Sequence, residues 1–181
     1  KSNKDKLMMV DMVSSAPYTN LDFDLVDSAM FSVQKAFGMP AGLGVWLANE
    51  KMLEKSERMK LHDAVVGTYH SLPSLWENYK NFETPETPNV MGIYVLGKVA
   101  EDFNKIGVEV MRKETDRKAK ALYDFASKSA DFDIFVENPN HRSATVVVLN
   151  CKGMAGDIIK QVQAKSDMIL GSGYGKMKES Q

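Results

Sequence analysis

Three short apolar runs constrain this chain more than any other feature: Leu7-Met8-Met9-Val10, Ser28-Ala29-Met30-Phe31-Ser32-Val33 and Leu43-Gly44-Val45-Trp46-Leu47-Ala48. They show little apolar–polar alternation, the pattern of strands in a sheet covered on both faces. Helical patterns follow. Asn49 is placed to cap a helix over Glu50–Met59, with Leu53 in its apolar stripe. Ser71 or Ser74 opens a short helix over Leu75–Tyr79. The proline-held connector Thr84-Pro85-Glu86-Thr87-Pro88-Asn89 leads into a long helix, Val90 to Phe103, with Met91, Val95, Val99 and Phe103 at steps of four. A further helix covers Val108 to Lys128. Ile134–Val136 and Thr145–Leu149 read as strands, Ala155–Lys165 as an amphipathic helix and Met168–Leu170 as a last strand. The fold class expected is α/β, strand-rich at first, helical in the middle and β-β-α-β at the end. The expected division is 1–108 and 109–181.

The chain has 181 residues, enough for one large or two small domains. Lys and Arg number 23 against 24 Asp and Glu, which gives no electrostatic reason to bind nucleic acid or an anionic membrane. No run approaches a membrane span, and no signal-peptide pattern opens the chain. Cys151 is the only cysteine, so no internal disulfide forms and a reducing cytoplasm is the expected compartment. It follows an apolar run and is expected to pack. His62, His70 and His141 have no metal spacing, and no metal is expected. The charged face Lys51–Lys60 is expected to be solvated. Gly171–Gly175 has the look of a phosphate loop, but no helix clearly follows.

Two polar residues close apolar strands. Asp11 ends the first, and Lys35 stands between the second and a loop rich in Gly and Pro, Gly38-Met39-Pro40-Ala41-Gly42. Partial burial frees a lysine lone pair to attack a carbonyl. Pyridoxal phosphate is the commonest protein-bound aldehyde that uses such an amine, and a carboxylate keeps its pyridine nitrogen protonated. Open sheets hold ligands at the carboxyl ends of their strands, where both residues lie. Gln34 and Thr87 are candidate donors to the cofactor phosphate. The bland readings stand beside this one: a strand-end Asp forms turns, and a strand-end Lys reaches solvent along its stem.

The segments Val10–Ser15 and Phe31–Gly44, with that separation, resemble class V (fold type I) pyridoxal-phosphate aminotransferases, and Thr87–Tyr94 is similar to the connector of that family. Gln34, His141-Arg142-Ser143-Ala144-Thr145 and Gly171–Lys176 look most like the members that act on phosphoserine. The resemblance implies the C-terminal part of a large cofactor-binding domain (1–108) followed by an incomplete small α+β domain (109–181). It implies that Lys35 is the Schiff-base lysine and the base for a 1,3-proton shift, that Asp11 holds the pyridinium nitrogen and that Gln34 touches the phosphate. Thr87 would reach the cofactor of a neighbouring subunit in a homodimer with shared sites. The phosphoserine members often carry Asn one place before that Thr, where this chain has Glu86; Asn89 is the candidate substitute. Arg142 would grip the substrate α-carboxylate, since a planar fork suits a carboxylate in two bonds.

The implied reaction moves an amino group between an amino acid and a 2-oxo acid, here glutamate and 3-phosphohydroxypyruvate, in serine biosynthesis. The alternatives are a serine–pyruvate or alanine–glyoxylate transaminase, or a non-catalytic α/β dimerisation module. Members of the family are considerably longer, so the chain is expected to be a C-terminal fragment, inactive by itself.

Overall fold

The first strand, β1 (Met9–Asp11), runs parallel to β2 (Ser28–Ser32), and β2 runs antiparallel to β3 (Gly44–Ala48), giving the order β1-β2-β3. The structure, a computed structural model, describes residues 5–61, 67 and 69–181. The chain divides into two compact units, Lys1–Val108 and Glu109–Gln181.

Strand alternation sorts the side chains of the first unit. Val10, Ala29 and Phe31 point to one face and join Met12, Ala16, Val26, Leu21 and Phe37 in its core. Met30 and Trp46, in register with each other, lie on the opposite face and stay partly open, as does Met9. The sheet is therefore not covered on both faces within this unit, contrary to the expectation from its apolar runs. The face bearing Met30 and Trp46 also carries Ser28, whose Oγ accepts the Trp46 indole N–H at 2.8 Å.

The parallel pair is joined without a helix. Residues 12–27 return the chain by turns closed through Ala16 N–H to Met12 O, Thr19 N–H to Ser15 O and Val26 N–H to Asp22 O. These bonds satisfy the backbone of a crossover that must bury Met12, Ala16 and Val26.

Helix α1 (Glu50–Leu61) starts where expected, and the Asn49 Oδ1 accepts the Met52 N–H at 3.0 Å. It runs two residues further than expected. Helix α2 (Leu72–Lys80) begins three residues before the expected start, because Pro73 suits the first turn of a helix. Ser71 occupies the cap position, although its side chain makes no capping bond. Helix α3 (Val90–Ile106) is capped by Asn89 and ends at Gly107, whose φ of +91° only glycine adopts easily. Along its apolar stripe Val99 and Phe103 are half-buried, whereas Met91 and Val95 are exposed.

The second unit contains most of α4 (Val108–Ala126), then β4 (Asp133–Ile134), a 3-10 turn at Pro139–His141, β5 (Leu149–Asn150) and α5 (Ala155–Ser166). Strands β4 and β5 are antiparallel and two residues long, shorter than the runs expected at Ile134–Val136 and Thr145–Leu149. Beyond this ladder only Phe135 N–H reaches across, to Val148 O. Met168–Leu170 is not a strand. Asp167 turns out of α5 with φ +53°, and Ile169 is 89% exposed with no neighbouring ladder. Cys151 is buried, and its thiol lies 3.3 Å from the Ser180 carbonyl.

Candidate active site

Lys35 does not sit on β2. The strand stops at Ser32, and residues 33–43 form a loop to β3 with Lys35 near its start. The loop is tied at its base by Val33 N–H to Leu43 O and Met39 N–H to Val33 O, and closed tightly by Gly38 N–H to Lys35 O at 3.0 Å. Gly38 adopts φ +65°, which favours glycine. Val33 and Met39 are buried. Phe37 stacks on Phe31 with ring centroids 4.8 Å apart and meets Phe103 of α3 at 5.3 Å. Apolar residues 33, 37 and 39 thus anchor the loop and leave Gln34 and Lys35 exposed on it. The expectation of a lysine at a buried strand end gives way to an exposed lysine on a rigidly held turn. Its amine makes no hydrogen bond or ion pair among the described residues.

Asp11 ends β1. Its Oδ1 accepts the Val13 N–H at 2.8 Å, an Asx-type turn that orients the carboxylate. The next residue, Met12, is buried and donates its N–H to Met30 O. The other Asp11 oxygen has no partner among the described residues. Since β1 and β2 are parallel neighbours, Asp11 and the Lys35 loop leave the sheet at the same edge.

Thr87 and Asn89 are not part of that edge. Both are exposed before α3, which touches the Lys35 loop through Phe103. At about 1.5 Å rise per residue, the helix start lies about 20 Å along the axis from that contact. The Asn89 Oδ1 is occupied, accepting the Gly92 N–H at 2.9 Å. Glu86 contributes its carbonyl to the Thr84 hydroxyl at 2.7 Å.

Arg142, in the second unit, is half-buried and fixed. Its Nε donates to Val136 O and its Nη2 to Glu137 O, both at 2.9 Å. Its guanidinium carbon lies 5.2 Å from the centroid of the Tyr123 ring on α4. A guanidinium has five N–H groups. Backbone carbonyls take the Nε side, whereas the Nη1 group and the second N–H of Nη2 have no hydrogen-bond partner among the described residues.

Gly171–Gly175 is no phosphate loop. Gly173 N–H donates to Gln181 O, and a Cβ on Gly173 would meet Met177 O at 2.6 Å. Only a 3-10 turn, Gly175–Met177, follows. His70 packs edge-on against Tyr69 and His141 is exposed in its 3-10 turn; His62 lies outside the described residues.

Two important side chains give no signal in the sequence. Asp27, just before β2, is buried and accepts the Met8 N–H at 2.8 Å and the Asn49 Nδ2 at 3.2 Å, with Lys51 Nζ 3.2 Å away. The Met8 amide above all, then Asn49, holds its carboxyl below the usual range, against the opposing effect of burial. Lys51–Lys60 is accordingly not a merely solvated face: Lys51 pairs with Asp27, and Lys55 and Arg58 pair with Asp5. The other is Tyr123; a tyrosine on an amphipathic helix carries no local sign of the arginine beneath it. Elsewhere a groove of about 470 Å³ between α1 and α2, lined by Leu53, Glu54, Glu57, Arg58, Trp76 and Lys80, shares no residue with the Lys35 loop. Among the described residues no helix is long and apolar enough to cross a membrane.

Residues 1–176 match the class-V aminotransferase family, and the chain belongs to it. Its fold is that of a fold type I pyridoxal-phosphate transferase, in part. A phosphoserine aminotransferase from Cytophaga hutchinsonii superposes with a TM-score of 0.92 at 44% identity, over 98% of this chain and 49% of that one. The phosphoserine aminotransferase of Nocardioides sp. is 27% identical over 80% of this chain and 39% of its own length. The alanine–glyoxylate aminotransferase of Nostoc sp. shares the fold at 16% identity, with a TM-score of 0.79 over 97% of this chain and 47% of that one. The chain thus spans about half the length of these relatives, or less.

Proposed function

We propose that the full-length protein is a pyridoxal-phosphate-dependent transaminase that exchanges an amino group between glutamate and 3-phosphohydroxypyruvate, in cytoplasmic serine biosynthesis, as a homodimer with shared sites. The observation that carries this reading is the common sheet edge of Asp11 and Lys35, one with a carboxylate oxygen and the other with an amine that have no partner among the described residues. The 44% identity to the Cytophaga hutchinsonii phosphoserine aminotransferase supports the choice of substrate.

The residues present fit the cofactor. When bound, pyridoxal phosphate supplies an electron sink for the charge left when the substrate Cα loses its proton. Lys35 would hold it through Nζ and, once the incoming substrate amine has displaced it, would be free to take that proton and hand it on. The open Asp11 oxygen accepts the pyridinium N–H, while the Val13 amide keeps the carboxylate from rotating away. Gln34 donates to the phosphate. Thr87, about a helix length from the Lys35 loop, serves the neighbouring subunit's site, with the Nδ2 of Asn89 as a further donor because its oxygen is engaged. Arg142 takes the substrate α-carboxylate on its open N–H pair. In this reading 1–108 is part of the large domain and 109–181 part of the small one.

Purified full-length protein is assayed with glutamate against 3-phosphohydroxypyruvate, glyoxylate and pyruvate. Turnover is expected with the phosphorylated acceptor, and Lys35→Ala should reduce it by at least ~10³-fold, with loss of the visible absorbance of the tethered cofactor. Preference for glyoxylate or pyruvate would overturn the choice of substrate.

A further inference from the structure

We infer that Tyr123 is a positioning residue for carboxylate recognition: its ring holds the Arg142 guanidinium, and its hydroxyl pins the adjoining backbone. The inference rests on the reading of Arg142 as the α-carboxylate ligand. Three observations within the second unit carry it. The Arg142 Cζ lies 5.2 Å from the Tyr123 ring centroid. The Tyr123 hydroxyl donates to Ser143 O, one residue beyond Arg142, at 2.9 Å. The Ser143 Oγ in turn accepts the N–H groups of Thr145 and Val146, so the carbonyl that Tyr123 grips belongs to a closed turn.

These contacts divide the work. The Val136 and Glu137 carbonyls fix the Nε side of the fork in its own plane. Two in-plane bonds leave the guanidinium free to tilt out of that plane. An aromatic face against the cation opposes that tilt, because the ring quadrupole attracts the charge above it. A carboxylate bound in two bonds tolerates little misalignment, so the ring improves affinity without touching the ligand. The hydroxyl acts on the backbone and should matter less for the fork.

The test uses the full-length holoenzyme and glutarate, which carries the carboxylates of glutamate without an amine or keto group, with binding measured by calorimetry. Tyr123→Leu, and Tyr123→Met as a second non-aromatic filler, should weaken glutarate binding about three- to ten-fold. The KM for glutamate should rise in proportion while kcat changes less than two-fold. Tyr123→Phe, which keeps the ring, should shift binding less than two-fold. In an Arg142→Ala background, Tyr123→Leu should cause no further weakening. If Arg142→Ala leaves glutarate affinity unchanged, the assignment of Arg142 falls and this inference with it. If Arg142→Ala weakens binding but Tyr123→Leu and Tyr123→Met do not, the inference alone falls. It falls also if Tyr123→Phe is as damaging as Tyr123→Leu, or if the double variant is additive.

Discussion

The ring of Phe37 lies between Phe31 of β2 and Phe103 of α3, with centroids 4.8 Å and 5.3 Å away, and so fixes the loop bearing Lys35 to two elements at once. Phe37 is two residues from Lys35, close enough that its packing determines where the lysine stem begins. Phe37→Ala removes both ring contacts. A fully buried Phe→Ala change costs about 3–5 kcal/mol; for this half-buried ring about 2–3 kcal/mol is expected, read from the denaturant midpoint. The variant should also be cut faster by protease within residues 33–43. An unchanged midpoint would show that the loop is held by its backbone bonds alone.

The opposite end of β2 is set by charge. Asp27 receives the Met8 amide and the Asn49 side chain, and Lys51 lies beside it, so its folded-state pKa is depressed. A depressed carboxylate contributes stability that is present above its unfolded pKa of about 3.9 and is lost as pH falls through the lower folded value. Asp27→Asn should destabilise the protein at neutral pH, because the new NH₂ faces the donors Asn49 and Lys51. It should also flatten the loss of stability below about pH 4. Thermal melts of both proteins between pH 2.5 and 7 check this. Parallel curves over that range would remove Asp27 from the acid response.

The cap of α3 couples two residues. A Cβ on Gly92 would lie 2.7 Å from the Asn89 Nδ2 and 2.9 Å from its Cγ, so an alanine there must displace the capping side chain. Asn89→Ala should cost about 1 kcal/mol by loss of the cap. Gly92→Ala gains about 0.8–1 kcal/mol in helix propensity but sacrifices that cap, so by itself it should be near neutral. Made on Asn89→Ala, the same change should stabilise. A coupling of about 1 kcal/mol in the double-mutant cycle is the expected result, and additivity would contradict the clash between the added Cβ and the cap.

What can be read from the sequence follows from which interactions are local. Asp11 stands out because it closes an apolar run, and Lys35 because it lies just beyond one, although β2 itself stops at Ser32, so only Asp11 is at a strand terminus. The Asn49 cap is legible because its partner is three residues away. Met168–Leu170 misleads since three apolar residues suit a strand only when another strand is there to pair with them. Asp27 and Tyr123 stay hidden for the same reason in reverse: Asp27 depends on Met8, 19 residues earlier, and Tyr123 on Ser143, 20 residues later. The chemistry of Asn89 suits a phosphate donor, while the helix that follows it engages its oxygen.

Cys151 offers a test of the second unit that needs no activity. Its side chain is 5% exposed, its backbone N–H donates to Ser180 O at 2.8 Å and its thiol reaches the same carbonyl. Both bonds must break before a reagent reaches sulfur. In native full-length protein, alkylation of the peptide carrying Cys151, followed by mass spectrometry, should be slower by at least about 100-fold than in denaturant, since even a local opening costing about 3 kcal/mol exposes the thiol less than 1% of the time. Replacing it with Ser keeps a donor for Ser180 O, whereas Val leaves that carbonyl with one bond fewer. Cys151→Ser and Cys151→Val should therefore fall on opposite sides of a stability difference of about 1 kcal/mol, with Ser the more stable. If Val proves equal or better, apolar packing outweighs the thiol's bond to the Ser180 carbonyl, and the backbone bonds from Cys151 N–H to Ser180 O and from Ala155 N–H to Glu179 O, with that of the Gln181 side chain to Asn150, suffice to hold residues 179–181.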